Sequence, residues 1–274
     1  PEYADAIIRD LRWLGLDWDE GPDAGGPAGP YVQSARMGLY ADALNRLDRA
    51  GHIYPCYCTR KELRTLAGAP HVGDAGAAYP GTCRTLPPER RAELEAAGRR
   101  PCIRLRCPSQ NYAFEDAVFG PFSMTLEACG GDFALRRSDS VIAYQLAVVV
   151  DDGLMGITQV VRGEDLLVST PRQLALFDLL GYPRPAYMHL PLLCDPEGER
   201  LAKRLASLTL ASLRDAGVSP AAVAGYLGWK AGLIGALAPA HPRNLRPAFD
   251  PGRLRFLPER VRIEADLTAS LSVV

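Results

Sequence analysis

The segment VIAYQLAVVVDDGLMGITQVVRGEDLL, residues 141–167, decides the fold class. We predict two buried strands in it, VIAYQLAVVV and GITQVVRG, because short runs rich in valine and isoleucine are typical of strands buried on both faces. The next segment, STPRQLALFDLLG, predicts a helix with Ser169 as N-cap, Pro171 in the first turn and Gly181 as the stop. AYMHLPLL then predicts another strand. A strand, a helix and a strand in succession indicate an α/β fold with a parallel sheet and a crossover.

The rest of the chain divides around this segment. Residues 53–137 combine short helices, loops and short alternating strands, and we predict that they form an α+β insertion. Residues 1–52 and 138–195 are then the two parts of the α/β domain. Residues 196–274 are predicted to form a loop followed by a helical region.

Two local patterns make the insertion more specific. Thr59 and Glu62 have the spacing of a capping box, so we expect a helix to begin there. CIRLRC, residues 102–107, alternates apolar side chains with Arg104 and Arg106, which predicts an antiparallel strand with these arginines on a solvent-exposed face.

Composition limits the class of protein. With 274 residues, 47% of them hydrophobic, the chain can form one large or two modest domains. No apolar run approaches the roughly 18 residues that a membrane span needs, and no export signal is visible, so we predict no membrane partner and a cytoplasmic location. The net charge of −1 means that any RNA binding depends on local patches.

Three cysteines stand out by their spacing. Cys56 and Cys58 lie one residue apart in YPCYCTRKEL, and YPGTC adds Cys83. An odd total of seven cysteines without an export signal argues against a disulfide framework. Three thiolates suit a tetrahedral zinc site, which then needs a fourth ligand. The other cysteines are expected to be ordinary buried side chains: Cys102, Cys107, Cys129 and Cys194.

The fourth zinc ligand is open on chemistry alone. His71 and Asp74 lie between the cysteines, and Tyr79 comes four residues before Cys83. Imidazole is a common zinc ligand and phenolate an uncommon one, so the residue chemistry favours His71.

Cationic residues are unevenly chosen. Of 31 basic residues only three are lysine, and one of them, Lys203, lies in RLAKR with Arg200 and Arg204. A basic loop after a strand can neutralise the phosphates of a nucleotide, although an isolated motif of this kind is also typical of a solvated helix start. Arg162 ends the apolar strand QVVRG and needs an anionic partner, which can be an internal acid or a bound carboxylate.

The internal acids available to Arg162 are Asp151, Asp152 and Glu164. The sequence leaves the choice open between one of them and a carboxylate ligand.

Taken together, DFALRRSDSVIAYQLAVVVDDGLMGITQVVRGEDLLVSTPRQLALFDLLGYPRPAYMHLPLL and RLAKR resemble the glutamyl-tRNA synthetase group of class I aminoacyl-tRNA synthetases. LRWLGLDWDEG and YVQSARMGLYADAL extend the resemblance through almost the whole chain. It implies a class I Rossmann-like parallel sheet, a zinc-containing insertion, a KMSKS-type loop at RLAKR and a helical region like the one that contacts the tRNA stem.

Within this group, the order C-x-C, tyrosine and x-x-x-Cys is similar to the zinc site of the glutamyl-queuosine branch, which lacks an anticodon-binding domain. The resemblance therefore implies that Cys56, Cys58, Tyr79 and Cys83 hold one structural zinc ion, and it replaces His71 by Tyr79.

The resemblance also implies roles for other side chains. Tyr144 and Arg162 match the residues that bind glutamate. Lys203 matches the catalytic lysine that contacts the phosphates, and Arg200 and Arg204 are expected to join it in binding ATP.

The implied reaction is ATP-dependent and Mg²⁺-dependent activation of glutamate, followed by its transfer to the queuosine base at the wobble position of tRNA(Asp), by a monomer. This branch activates glutamate without tRNA, whereas ordinary glutamyl-tRNA synthetases need tRNA. The alternatives are a fragment of an ordinary glutamyl-tRNA synthetase and an inactive synthetase-like RNA-binding module. The family's HIGH-type motif does not occur in this sequence, and we expect that it precedes Pro1 in the full-length protein.

Overall fold

The computed structural model describes residues 2–59, 61–63, 79–201, 209–255, 257, 260–264 and 266–272. The α-helices in this part of the chain are α1 (Glu2–Trp13), α2 (Met37–Arg49), α3 (Pro88–Ala96), α4 (Tyr144–Leu154), α5 (Thr170–Leu180), α6 (Leu210–Asp215), α7 (Pro220–Lys230), α8 (Pro242–Leu245), α9 (Pro251–Leu254) and α10 (Leu267–Ser272). The strands are β1 (Ile53–Cys56), β2 (Cys102–Leu105), β3 (Asn111–Asp116), β4 (Gly120–Thr125), β5 (Ala134–Arg136), β6 (Gln159–Gly163), β7 (Ala186–Leu190), β8 (Leu192–Cys194) and β9 (Arg260–Arg262).

The central sheet has the strand order β4-β3-β7-β6. β6 and β7 are parallel neighbours joined through α5, so the predicted crossover is confirmed. Gly181 ends α5 with a φ of 67°, a left-handed conformation that glycine adopts without a Cβ penalty, and Pro171 lies in the first turn as predicted. Ser169 is at the N-cap, but its hydroxyl donates to the Leu166 carbonyl rather than capping the helix.

The prediction that VIAYQLAVVV is a strand is wrong, because its residues from Tyr144 onward form α4. The buried side chains of this helix follow a helical spacing: Leu146, Ala147, Val149, Val150 and Asp151. A continuous apolar run cannot separate a buried helix from a buried strand, and here helix packing overrides the β propensity of the three valines.

One core joins α2, α4 and α5 to the central sheet. Tyr40, Leu44 and Leu47 of α2 are buried in it. An ion pair fixes the start of α2 to α4, because Arg36 Nε lies 2.6 Å from the Asp151 carboxylate and both groups are buried. The Tyr40 hydroxyl also donates to this carboxylate, at 2.9 Å. Helix α4 carries Tyr144 in its first turn. The packing of α4 therefore positions a residue that is predicted to bind glutamate.

A second sheet, antiparallel, has the order β1-β2-β5. The capping box at Thr59 and Glu62 is confirmed, because each side chain accepts a hydrogen bond from the other residue's backbone N–H. The predicted exposure of Arg104 is wrong: its side chain is buried, because the face of β2 that carries it is covered by the ring of Tyr79.

The hairpin of β3 and β4 extends the central sheet rather than the second one. β3 pairs in parallel with β7 through Asp116 and Tyr187. The division at residues 53–137 stays a prediction, and this pairing adds that the chain returns to the central sheet within that range.

Helix α7 lies very close to the backbone of the segment that follows it. A Cβ placed on Gly225 of α7 would lie 1.9 Å from the Ala238 carbonyl oxygen, which belongs to the backbone and cannot turn aside. We therefore expect Gly225→Ala to cost about 3 kcal/mol of unfolding free energy. Denaturant unfolding of this variant tests the contact, with Gly235→Ala as control because a Cβ there meets nothing within 4 Å.

A difference of less than about 1 kcal/mol between these two variants would contradict the close approach of α7 and the segment after it.

In the described part of the chain, no helix is long and apolar enough to cross a membrane.

Candidate functional site

The first site is a cluster of three cysteines beside β1. The sulfur atoms of Cys56, Cys58 and Cys83 all lie within 4.8 Å of one another, and those of Cys58 and Cys83 are 3.5 Å apart. Cys56 ends β1, Cys58 follows it, and the turn after Tyr79 brings Cys83 to them. The predicted thiol ligands are thus brought together.

Tyr79 completes the same cluster. Its hydroxyl oxygen lies 3.3 Å from the sulfur of Cys56 and 3.9 Å from that of Cys58, and it accepts the backbone N–H of Cys83 at 2.8 Å. Burial, together with the Cys56 hydrogen bond, raises the pKa of Tyr79. The rival ligands His71 and Asp74 lie outside the described residues.

These four groups fit a zinc ion. Sulfur ligands about 2.3 Å from zinc at tetrahedral positions lie about 3.8 Å apart. The sulfur separation of 3.5 Å between Cys58 and Cys83, and the upper limit of 4.8 Å on the others, are compatible with this value. Cys56 and Cys83 are buried together with Tyr54 and Tyr79, which keeps water from the ligands. A closed set of four protein ligands is typical of a structural site.

Cys102 belongs to the surroundings of this cluster rather than to the cluster itself. It is the cross-strand partner of Cys56, and its thiol contributes most to lowering the pKa of Cys56 to about 4. It does not lie among the described groups that are close enough together to share one metal. The prediction that Cys102 is an ordinary buried side chain therefore missed its position opposite Cys56.

The second site is built around Arg162 at the end of β6. Its Nε donates to His189 Nε2 at 3.0 Å, its Nη1 to Gln173 Oε1 at 2.7 Å and its Nη2 to Thr170 Oγ1 at 2.9 Å. All three partners are neutral acceptors. Since a guanidinium has five N–H groups, one donor remains on each terminal nitrogen. Two donors on adjacent nitrogens can bind a carboxylate at two points.

Two of the three internal acids proposed for Arg162, Asp151 and Asp152, form no ion pair with it in the described part of the chain. Asp151 is paired with Arg36 instead. Burial raises the pKa of Asp152 to about 6. The nearby charge of Arg162 acts to lower this pKa, but the two side chains form no ion pair. The donors left on the two terminal nitrogens therefore favour the carboxylate ligand among the two partners predicted from the sequence.

His189 and Asp116 fix the position of Arg162 through a chain of hydrogen bonds. His189 is the parallel cross-strand neighbour of Arg162, and its side chain is fully buried. Because Nε2 accepts the Arg162 proton, Nδ1 carries the ring proton and donates it to Asp116 Oδ2 at 2.6 Å. Asp116 also accepts backbone N–H groups of Val118 and Phe119. This chain of hydrogen bonds fixes the orientation of the guanidinium.

Asp116 gives a pH-dependent prediction. Burial acts to raise its pKa, but the hydrogen bonds from His189 and the backbone outweigh burial and leave the pKa below its ordinary value. The ionised carboxylate therefore contributes stability at neutral pH that is lost as pH falls through the folded-state pKa. We expect Asp116→Asn to lose about 2 kcal/mol of unfolding free energy at pH 7 and less below about pH 4, measured by denaturant unfolding.

Equal losses at both pH values would mean that Asp116 contributes only packing. Asp178→Asn is the matched control, because that carboxylate pairs with Arg184 on the surface. We expect it to change stability by less than about 1 kcal/mol.

Tyr144 directly precedes Gln145, which a chain of hydrogen bonds connects to Arg162 through Gln173. It lies at the start of α4 with half of its side chain exposed. The next residue, Gln145, accepts a hydrogen bond from Gln173, and Gln173 accepts from Arg162. The two residues predicted to bind glutamate thus flank one connected network, and Tyr144 has a free surface to offer a substrate.

Of the predicted ATP-binding residues, only Arg200 is described. Its guanidinium lies 3.4 Å from the Asp165 carboxylate, just after β6. Lys203 and Arg204 lie outside the described residues.

Sequence reasoning missed the partners of both sites, namely Arg104, Asp116, Thr170, Gln173 and His189. A usable signal existed for one of them: His189 interrupts the apolar strand AYMHL, and a polar side chain buried in a strand needs a partner.

Comparisons with known proteins identify the family of this chain. Residues 1–233 match the family model of class I tRNA synthetases (E and Q), catalytic domain. A glutamyl-Q tRNA(Asp) synthetase of Nitratidesulfovibrio vulgaris is 63% identical over 89% of this chain and 75% of that protein. One from Symbiobacterium thermophilum is 54% identical over 99% of this chain and 84% of that protein. A glutamate–tRNA ligase of a Sulfurihydrogenibium species is 40% identical, but the match covers only 48% of its length.

The fold has a counterpart among solved structures. A glutamate–tRNA synthetase from Elizabethkingia anophelis superimposes with a TM-score of 0.80 at 24% identity, covering 99% of this chain and 60% of that one. The chain thus belongs to the class I glutamyl and glutaminyl tRNA synthetases, and within them to the family of glutamyl-Q tRNA(Asp) synthetases.

Proposed function

We propose that this protein activates glutamate with ATP and transfers the glutamyl group to the queuosine base at the wobble position of tRNA(Asp). The observation that carries this proposal is Arg162, a guanidinium with three neutral partners and a donor left on each terminal nitrogen. Such a group selects a carboxylate by two parallel hydrogen bonds. Two relatives that carry the name glutamyl-Q tRNA(Asp) synthetase, at 63% and 54% identity, supply the tRNA part of the proposal.

The chemistry has two steps. An oxygen of the α-carboxylate of glutamate attacks the α-phosphorus of ATP. The bond between the α-phosphorus and the oxygen of the β-phosphate breaks, and pyrophosphate leaves. A hydroxyl group of queuosine then attacks the carbonyl carbon of the glutamyl adenylate, an ester forms and AMP leaves. In both steps Arg162 and Tyr144 hold the glutamate, so that its reacting carboxylate stays in line with the phosphate and then with the hydroxyl.

The basic loop is proposed to bind the nucleotide. Lys203 is the residue that contacts the phosphates of Mg²⁺-bound ATP, and Arg200 and Arg204 add positive charge around them. Charge on the departing pyrophosphate is then offset where it develops.

One zinc ion bound by Cys56, Cys58, Tyr79 and Cys83 is proposed to be structural. When bound, it links β1 to the turn at residues 79–83 and so fixes an insertion that has only a small apolar core of its own. Action as a monomer in the cytoplasm belongs to the same proposal.

Transfer of labelled glutamate to purified tRNA tests the function. We expect the full-length protein to label tRNA(Asp) that contains queuosine and to leave tRNA(Asp) with guanosine at the wobble position, and tRNA(Glu), unlabelled. Labelling of tRNA(Glu) instead would identify an ordinary glutamyl-tRNA synthetase. No labelling of any tRNA would favour the inactive RNA-binding module.

A further inference from the structure

Arg104 faces the zinc ligands because of the register of two strands. β1 and β2 pair antiparallel, with Tyr54 opposite Arg104 and Cys56 opposite Cys102. Directly opposed residues of such a pair point to the same side of the sheet, and so do residues two apart along one strand. All four side chains therefore project toward the cysteine cluster, and Arg104 is only 9% exposed.

The Arg104 guanidinium contacts Tyr79 of this cluster and one backbone carbonyl beside it. Its central carbon lies 4.0 Å from the centre of the Tyr79 ring. Nη1 donates to the Asp132 carbonyl oxygen at 2.9 Å, whereas Nε has no hydrogen-bond partner among the described residues. No carboxylate of the described chain forms an ion pair with Arg104. A buried cation without a counterion is costly, so an anionic partner is expected at this place.

The bound metal site would supply that partner. Three thiolates and a phenolate bring four negative charges to a doubly charged zinc ion, which leaves a net charge of about −2 in a buried position. A guanidinium stacked on the ring of one ligand is placed to offset part of this charge, since the interior screens it weakly.

We propose that Arg104 compensates the negative charge of a zinc ion bound by Cys56, Cys58, Tyr79 and Cys83, and thereby strengthens its binding. Arg104 is a positioning residue in this role: it does not touch the metal but stabilises the anionic form of the ligands. The inference rests on the proposed zinc site and adds to it a residue outside the C-x-C, Tyr, x-x-x-Cys pattern.

The test is the zinc affinity of three variants, measured by competition with a chromophoric chelator. Arg104→Gln keeps a hydrogen-bond donor for the Asp132 carbonyl but removes the charge, and we expect zinc binding to weaken about 10- to 100-fold. Arg104→Lys keeps the charge but loses the planar group that stacks on Tyr79, so it should weaken zinc binding by less than about tenfold. Arg106→Met is the matched control, because Arg106 lies over Tyr54 on the same segment but not over a ligand, and we expect no change.

Cobalt gives the readout that separates charge from shape. The visible bands of the Co²⁺-substituted protein report the ligand set and its tetrahedral geometry. We expect the bands to be retained in the Arg104→Gln variant at saturating Co²⁺, with only the affinity reduced. Loss of these bands would mean that Arg104 shapes the ligands rather than compensating their charge, and would overturn the proposal.

Affinity decides the remaining cases. An Arg104→Gln variant that binds zinc as tightly as the unmodified protein, or an Arg104→Lys variant that loses affinity by more than about tenfold, would also overturn the proposal. The lysine variant keeps the test decisive if the glutamine variant does not fold. An unmodified protein that binds neither zinc nor Co²⁺ would instead refute the zinc site itself.

Discussion

Replacing Arg162 with lysine should lower kcat/KM for glutamate at least about 100-fold in ATP–pyrophosphate exchange by the full-length protein. The guanidinium donates to His189, Gln173 and Thr170 and still has a donor on each terminal nitrogen. A lysine ammonium has three donors, so it cannot satisfy three buried acceptors and also hold a carboxylate at two points. Each buried acceptor left without a partner adds a further cost.

The control for this prediction is Arg184→Lys. Arg184 makes a bidentate contact with the Asp178 carboxylate on the surface, so the same substitution there should leave exchange within about threefold of the unmodified protein. If Arg162→Lys also kept its activity within this range, Arg162 would not be the group that selects glutamate.

Replacing Cys83 with serine should abolish stoichiometric zinc binding. The unmodified protein is expected to hold about one zinc ion per chain, and the variant close to none, because a structural site with a thiolate removed loses most of its binding free energy. Metal analysis of dialysed protein measures this. Since zinc would link β1 to the turn at residues 79–83, we also expect a lower Tm for the variant and for the unmodified protein treated with a chelator.

Cys129→Ser is the matched control for zinc. Cys129 is equally buried but lies outside the cluster that can share a metal. We expect this variant to keep its zinc. A chelator should lower its Tm by no more than it lowers the Tm of the unmodified protein. Full zinc content in Cys83→Ser, or none in the unmodified protein, would contradict the proposed ligand set.

The fold class was predictable where local signals were distinct. The helix that ends at Gly181 and the strands on either side of it follow from proline, glycine and apolar spacing. The helix at Tyr144–Leu154 was not predictable in the same way. Its valine run has the composition of a strand, and only packing against α2 and α5 makes the helix the better arrangement.

The sites were predictable in their reactive groups but not in the groups that support them. The spacing of the cysteines predicts a metal site at Cys56, Cys58 and Cys83. The resemblance added Tyr79 as the fourth predicted ligand. Arg104 was predicted to be exposed because charged side chains that alternate with apolar ones on a strand usually face solvent. The alternation does not reveal that the ring of Tyr79 covers this face of the strand. Contacts between distant segments, such as this one, depend on strand register and loop path.

We expect this protein to activate glutamate without tRNA, as its resemblance to the glutamyl-queuosine branch implies. ATP–pyrophosphate exchange by the full-length protein, measured with glutamate and without tRNA, tests it most directly, with aspartate and glutamine as control substrates. We expect exchange with glutamate alone and none with either control. Exchange that begins only when tRNA(Glu) is added would contradict the account and indicate an ordinary glutamyl-tRNA synthetase, and no exchange under any condition would mean that the site does not activate glutamate.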